Sequence, residues 1–135
     1  LASTIMIITR FIEYIDLKVT KKIYVKDISY RVMEYIKEHF EQDLSLESIA
    51  KEFSVNKNYI SHIFSSKFEI NFRKYLGLIR AEYAATLLRT TDDKITTIAE
   101  NAGFESQRTF NRIFREIYGV TPMEFRKNLD RYKNS

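Results

Sequence analysis

The chain has 135 residues, with 22 Lys and Arg against 18 Asp and Glu, so its formal net charge is +4. This length fits one compact domain, or one domain with a short appendage, and a 44% apolar content with 10 Phe and 9 Tyr argues against intrinsic disorder. Only 3 Gly and 1 Pro are present, too few for the frequent turns of a β-sandwich or β-barrel, so the chain is expected to be all-α.

The sequence lacks the residue sets that most catalytic and metal sites require. Without cysteine there is no disulfide, thiolate zinc site, iron–sulfur ligand or cysteine nucleophile. His39 and His62 do not have the spacing of a zinc-binding motif, and no Ser/His/acid set or Gly-rich phosphate loop occurs. We therefore expect no enzyme activity, no metal and no cofactor.

Residues 1–26 are predicted to form an N-terminal helix and a linker. Isoleucines recur at spacings of three and four over residues 2–17, which places them on one helix face: Ile5, Ile8, Ile12 and Ile15. Residues 19–25 are β-branched and basic, which favours a linker or a short extended segment. The isoleucine face can pack on its own chain or contact another domain or a second chain. The linker lysines can form a phosphate-attracting arm or be merely solvated.

The apolar run at residues 5–8 is far too short to span a membrane, and no basic segment precedes it. We therefore expect neither a membrane span nor a signal peptide, and the cytoplasm is the expected compartment.

From Asp27 onward, capping residues followed by apolar stripes predict a series of short helices. Gly103 and Gly119 are expected to close the two helices that precede them. The run over residues 72–89 is the longest and would be on the order of 27 Å in length. The predicted helix starts are Asp27 or Ser29, Ser45, Asn56, Asn71, the Asp92–Asp93 pair, Ser106 and Thr121.

The sequence repeats itself at an offset of 49 to 50 residues, as in Ile49-Ala50 and Ile98-Ala99. Two copies are too few for a solenoid. The repeat indicates two similar modules, a first module over residues 27–70 and a second over 91–132, joined by a connecting helix over 71–90. In each module a short helix, a tight turn and a longer helix follow one another with helix-turn-helix spacing.

The longer helix of the second module is predicted to present polar side chains that can read DNA. Arg and Gln form paired hydrogen bonds with guanine and adenine edges, and the start of a helix offers N–H groups to phosphate. An ordinary solvated face is the alternative for a single module, but two modules at a fixed offset, with basic outward faces expected on both longer helices, favour duplex DNA binding. The polar residues are Gln107, Arg108, Asn111 and Arg112.

Over residues 29–127 the sequence resembles the DNA-binding domain of the AraC/XylS family of bacterial transcription regulators. The resemblance is most specific in the segments 98–104 (IAENAGF), 110–115 (FNRIFR) and 119–126 (GVTPMEFR). It implies an AraC-type domain over residues 27–135, with seven helices and two recognition helices in adjacent major-groove segments. It also implies that the full-length regulator activates transcription by contacting RNA polymerase and acts at the nucleoid. An upstream effector-binding or receiver domain is implied as well.

Carried over by position, the resemblance implies base-reading residues in both recognition helices. They are Asn58, Ser61 and His62 in the first, and Gln107, Arg108 and Arg112 in the second, with Thr109 and Asn111 in backbone or secondary contacts. A helical protein-interaction module that does not bind DNA is the alternative function.

The sequence departs from the family pattern at two positions in the first module. The family has glycine where Ser54 and Glu69 stand, whereas Gly103 and Gly119 keep that pattern in the second module. Because a side chain in a left-handed conformation costs roughly 1 kcal/mol, the first turn is expected to be distorted or to use another geometry. Arg80, in the connecting helix, is expected to pair with a carboxylate and to bridge the two modules.

Overall fold

The fold is known from a computed structural model, which describes residues 2–21 and 27–133 and the side chains of residues 4, 6–15 and 27–131. The described ranges are helical throughout apart from short turns and loops, which confirms the all-α prediction. The resemblance implied seven helices, and α2–α8 match them. The helices of the described ranges are α1 (Ala2–Lys21), α2 (Ile28–His39), α3 (Leu46–Glu52), α4 (Lys57–Lys67), α5 (Phe72–Thr90), α6 (Ile95–Asn101), α7 (Gln107–Tyr118) and α8 (Pro122–Lys133).

Helix α1 is longer than the sequence pattern predicts. The prediction of a linker from residue 19 is wrong for residues 19–21, because the helix continues to Lys21. Val19 and Thr20 each cost well under about 1 kcal/mol in a helix, and propagation of an existing helix is favourable. Residues 22–26 and the side chains of the lysines proposed as an arm lie outside the described part of the chain.

The isoleucine face of α1 packs on its own chain. Ile15 is buried in the core of the first module, and Phe11 packs against the same core. Ile8 contacts the core of the second module, and Ile12 lines a cavity that residues of α5 also line. The side chain of Ile5 lies outside the described residues. The sequence left open whether this face packs on its own chain or contacts another domain or a second chain, and in the structure it packs on its own chain.

Side-chain caps define most of the helix starts, as the sequence predicts. Asp93 and Asp92 are the exception: α6 begins at Ile95, its N-cap is Lys94, and that cap makes no side-chain hydrogen bond. The aspartates stand too early in the chain to cap α6, so that prediction is wrong. The caps that form are Asp27, Ser45, Asn56, Asn71, Ser106 and Thr121, each accepting from a backbone N–H two or three residues later.

Helix α5 contributes to two hydrophobic cores. Its N-terminal half carries Phe72 and Leu76 into the core of the first module. Its C-terminal half carries Ala81 and Ala84 into the core of the second, where both are fully buried. Such small side chains allow α6, α7 and α8 to pack closely against α5, and the two modules therefore share one continuous helix.

The turn of the first module has the same geometry as that of the second, so the expectation of a distorted first turn is wrong. Ser54 has φ 55° and Gly103 has φ 90°, both in the left-handed region. The N–H of Val55 donates to the carbonyl of Ala50 at 2.9 Å, and the equivalent bond from Phe104 measures 3.0 Å. Hydrogen bonding and packing thus hold Ser54 in a conformation that usually favours glycine.

Arg80 joins α5 to the first module, but its hydrogen-bond partners are not carboxylates, so the prediction of a carboxylate partner is wrong. Its guanidinium donates to the backbone carbonyls of Phe40 and Gln42, in the loop between α2 and α3. Those carbonyls are left without an intrahelical partner at the end of α2, and the planar guanidinium reaches two of them at once.

Candidate nucleic-acid interface

The outer face of α4 is exposed and polar, as predicted for the first recognition helix. Its opposite face anchors it, with Ile60 and Phe64 fully buried. Asn56 caps its first turn by accepting from the N–H of Asn58 at 2.7 Å. The carbonyl of Asn56 accepts from the N–H of Tyr59 at 3.0 Å, so Asn56 holds the first turn through both its side chain and its backbone. The three predicted base-reading residues of α4 are all exposed: Asn58, Ser61 and His62.

Both lysines of α4 form ion pairs within the first module. Lys57 lies 3.2 Å from Glu47 of α3, and Lys67 lies 3.1 Å from Asp27 at the start of α2. The pKa of Asp27 is lowered, chiefly by the N–H of Ser29 that it caps and also by Lys67. Between these two lysines α4 carries no Lys or Arg, so the basic outward face predicted for this helix is limited to its two ends.

Helix α7 presents arginines in the corresponding place. Phe110 and Phe114 are fully buried, and the opposite face exposes Arg108, Asn111 and Arg112. Arg112 lies 3.3 Å from Glu116 one turn later, with both side chains 61% exposed. Such an exposed pair contributes about 0.3–0.5 kcal/mol and exchanges readily for a phosphate or a base.

Arg108 forms no ion pair or hydrogen bond with the described residues, and its side chain is exposed at the first turn of α7. Ser106 caps this turn by accepting from the N–H of Thr109 at 3.1 Å. An uncommitted guanidinium beside the positive end of a helix is suited to a phosphate or a guanine edge.

Gln107 and Thr109 are less accessible than their neighbours on α7. Both are half-buried. The side-chain amide of Gln107 donates to the carbonyl of Thr96 at 3.4 Å, and the hydroxyl of Thr109 accepts from that of Ser106. Their predicted DNA contacts remain predictions: the hydroxyl of Thr109 keeps its own proton to donate, and the amide of Gln107 keeps a second N–H and its oxygen.

Tyr59 lies on the outer part of α4, although the sequence did not identify it as a candidate contact residue. Its side chain is 46% exposed. The repeat itself could have identified it. At an offset of 50 residues, Tyr59 is the equivalent of Thr109, one of the predicted contact residues. An aromatic ring with a hydroxyl can contact both a thymine methyl group and a phosphate.

His39 lies at the end of α2, where its ring bonds to the carbonyl of Tyr35 at 2.8 Å and stacks on the ring of the same residue.

Within residues 2–21 and 27–133, no group of three or more acidic and histidine side chains is placed to hold a metal ion. No helix in those same ranges is long and apolar enough to cross a membrane.

The helix-turn-helix domain family matches residues 49–128 of the chain. Regulatory protein SoxS of Salmonella typhimurium is 34% identical over 104 residues, which make up 77% of this chain and 97% of SoxS. The chain belongs to the AraC-type helix-turn-helix family of transcription regulators. It is therefore a DNA-binding domain of the AraC type.

Two more relatives of this AraC-type domain are larger proteins or parts of them. The uncharacterized regulator YijO of Escherichia coli K12 is 36% identical over 96 residues, 71% of this chain and 34% of YijO. The C-terminal domain of AraT, a response regulator from Geobacillus stearothermophilus, is 37% identical with a TM-score of 0.73, covering 78% of this chain and 88% of that one. The chain spans 34%, 13% and 36% of the length of three curated relatives that it matches.

Proposed function

We propose that this AraC-type domain reads a bipartite DNA site with α4 and α7 in adjacent major-groove segments on one face of the duplex. The observation that carries the proposal is that two capped helices with polar outer faces are attached to one continuous helix, α5. Half-sites about 10 base pairs apart fit two such helices, because one turn of B-DNA returns the major groove to the same face. The proposed contact residues are Asn58, Tyr59, Ser61, His62, Gln107, Arg108, Thr109, Asn111 and Arg112.

The second module is proposed to contribute most of the sequence discrimination. Arg108 has no partner among the described residues, and Arg112 has only an exposed ion pair. On α4 both lysines stand at the ends of the helix, in ion pairs with Glu47 and Asp27, and the predicted readers between them have shorter side chains. Because Arg can bond guanine through two donors, it discriminates between bases more strongly than Ser or His.

The complete protein is proposed to be a transcription activator that contacts RNA polymerase and works at the nucleoid in the cytoplasm. Similarity to SoxS, which the domain matches over 97% of its length, supports a regulatory role for the domain itself. Similarity to a response regulator's C-terminal domain supports attachment to an upstream receiver or effector-binding domain.

The test is selection of bound duplexes from a random pool, followed by titration of variants at matched salt. Arg108→Ala and Arg112→Ala should each cost about 1–3 kcal/mol on the enriched duplex and much less on unrelated DNA. His62→Ala should cost less than either. Arg131→Ala is the control, because Arg131 is an exposed arginine on α8, outside both recognition helices.

Two outcomes would contradict the proposal. If both arginine variants weaken binding equally on every duplex, the arginines hold phosphates and do not read bases. If the wild-type domain shows no salt-dependent affinity for any duplex, it is a protein-interaction module, since phosphate contacts make DNA binding fall steeply with salt.

A further inference from the structure

Arg80 joins the connecting helix to the first module through two hydrogen bonds. Its Nε donates to the carbonyl of Phe40 at 2.7 Å, and its Nη2 donates to the carbonyl of Gln42 at 2.8 Å. Both carbonyls belong to the loop between α2 and α3. Because the donor is charged, forked and half-buried, these bonds are stronger and better defined in geometry than neutral surface hydrogen bonds.

Gly103 brings the turn of the second module onto this same loop. A Cβ added at Gly103 would lie 2.8 Å from Cα of Glu41, 2.8 Å from the carbonyl oxygen of Phe40 and 3.0 Å from Nε of Arg80. The turn between α6 and α7 therefore packs directly on the loop between α2 and α3. We name this contact, formed by residues 40–42, Arg80 and Gly103, the junction.

The first module shows that the turn alone does not exclude a side chain. Ser54 occupies the equivalent position with φ 55°, and its side chain is exposed. Gly103 differs because the other module lies against it. The absence of a side chain at position 103 thus has two effects: it permits contact between the modules, and it avoids the strain that a Cβ would add to the left-handed backbone.

Both modules also place negative charge around Arg80. The carboxylates of Glu105, Asp43 and Glu41 favour the charged guanidinium, whereas burial opposes it and lowers its pKa. Glu105 follows the turn of the second module, while Asp43 and Glu41 belong to the first. One cation is therefore attracted to both modules at the point where they meet.

We propose that Arg80 is a positioning residue that fixes the spacing between the two DNA half-sites. The inference rests on the proposed function, in which α4 and α7 enter adjacent major-groove segments. The loop held by Arg80 leads into α3 and α4, and the turn at Gly103 leads into α7. The junction thus links the approaches to both recognition helices, so their separation does not depend on α5 alone.

A fixed separation has a measurable consequence for DNA binding. Each base pair inserted between the half-sites rotates the second one by about 35° around the duplex axis. A rigid protein cannot follow this rotation, and simultaneous engagement of both half-sites is lost. A protein with a loosened junction follows it better and tolerates the altered spacing.

The experiment uses the duplex enriched from the random pool, with one or two base pairs inserted or deleted between its half-sites. For the wild type, a change of two base pairs should weaken binding by about tenfold or more. Arg80→Met keeps the apolar stem but removes both donors. The loss of affinity caused by altered spacing should be at least about threefold smaller for this variant than for the wild type, and affinity for a single half-site should be unchanged.

Arg126→Met is the matched control. Arg126 lies on α8 and also donates to two backbone carbonyls, of Thr91 and Asp93, but both are in the loop before α6 of its own module. This variant should keep the narrow wild-type spacing profile. Arg80→Lys, which replaces the two donor nitrogens by one, is measured alongside and replaces Arg80→Met if that protein does not fold.

The inference is overturned if a folded Arg80 variant keeps the wild-type spacing profile, or if Arg126→Met broadens the profile equally. In either case the proposed DNA binding still stands. If the wild type binds none of the duplexes, the proposed function fails and the inference fails with it.

Discussion

Replacing Glu69 by glycine should stabilise the domain, because Glu69 ends α4 in a left-handed conformation. Its φ is 52°, and the corresponding residue of the second module is Gly119, with φ 77°. The N–H of Ile70 donates to the carbonyl of Phe64, which closes the helix end in the manner of a Schellman motif. The backbone is thus committed to a conformation that an L-residue with a Cβ adopts at a cost.

The magnitude follows from two opposing terms. Removing the Cβ relieves about 1–2 kcal/mol of left-handed strain. Glycine also makes the unfolded chain more flexible, which costs about 0.4–1 kcal/mol. The exposed side chain of Glu69 forms no hydrogen bond or ion pair with the described residues, so its removal loses no contact. The expected net gain is about 0.5–1 kcal/mol.

The assay is thermal unfolding followed by helical circular dichroism. For a domain of this size the gain corresponds to a rise in Tm of about 2–4 °C. Ser65→Gly is the matched control, because Ser65 is exposed and lies within right-handed α4. A glycine there should lower the Tm, since helical glycine costs about 0.5 kcal/mol relative to serine.

A fall in Tm for Glu69→Gly as large as that for Ser65→Gly would refute the reasoning. It would mean that the left-handed residue at position 69 is not strained, or that the first module ends differently in solution.

Gly103→Ala should destabilise the protein by at least about 2 kcal/mol in urea unfolding, since its Cβ would meet backbone atoms at 2.8 Å; a loss below about 1 kcal/mol would contradict the close packing of the modules. A backbone N–H and Lys67 lower the pKa of Asp27 below its ordinary 3.8, so its contribution to stability is present above that pH and is lost as pH falls through the folded-state value. Asp27→Asn should therefore flatten the loss of Tm on acidification, and an unchanged slope would exclude this carboxyl as a cause. Burial raises the pKa of Tyr118 to about 12, so the unfolded state ionises first and stability falls as pH rises from about 10 toward 12. Tyr118→Phe should lessen this alkaline loss, whereas Tyr30→Phe, at an exposed position, should not; equal effects of the two would contradict the role of burial.

Local patterns in the sequence determined the helices and their order. Caps such as Ser45 and Asn56 stand directly before apolar stripes, and both form the predicted hydrogen bonds. These interactions span only a few residues, so they can be read from the sequence without knowing the rest of the fold. The two modules and the long shared helix followed from the repeat and from the length of the apolar run.

Predictions from local sequence failed where a segment could adopt either of two backbone conformations at similar cost. Helix α1 continued past β-branched residues because propagation outweighs their small propensity cost. Ser54 entered a left-handed conformation because the hydrogen bonds of the turn outweigh the strain. In each case the deciding free energy came from structure already formed, which composition and spacing do not reveal.

Only the tertiary structure decided which charged side chains have partners within the domain and how the modules meet. It separated the uncommitted Arg108 from the lysines of α4, which pair with residues 10 and 40 positions earlier in the chain. It also placed Arg80 against carbonyls 38 and 40 positions earlier and packed Gly103 on the same loop. Contacts of such sequence separation depend on how whole helices pack, and therefore no short segment of the sequence contains them.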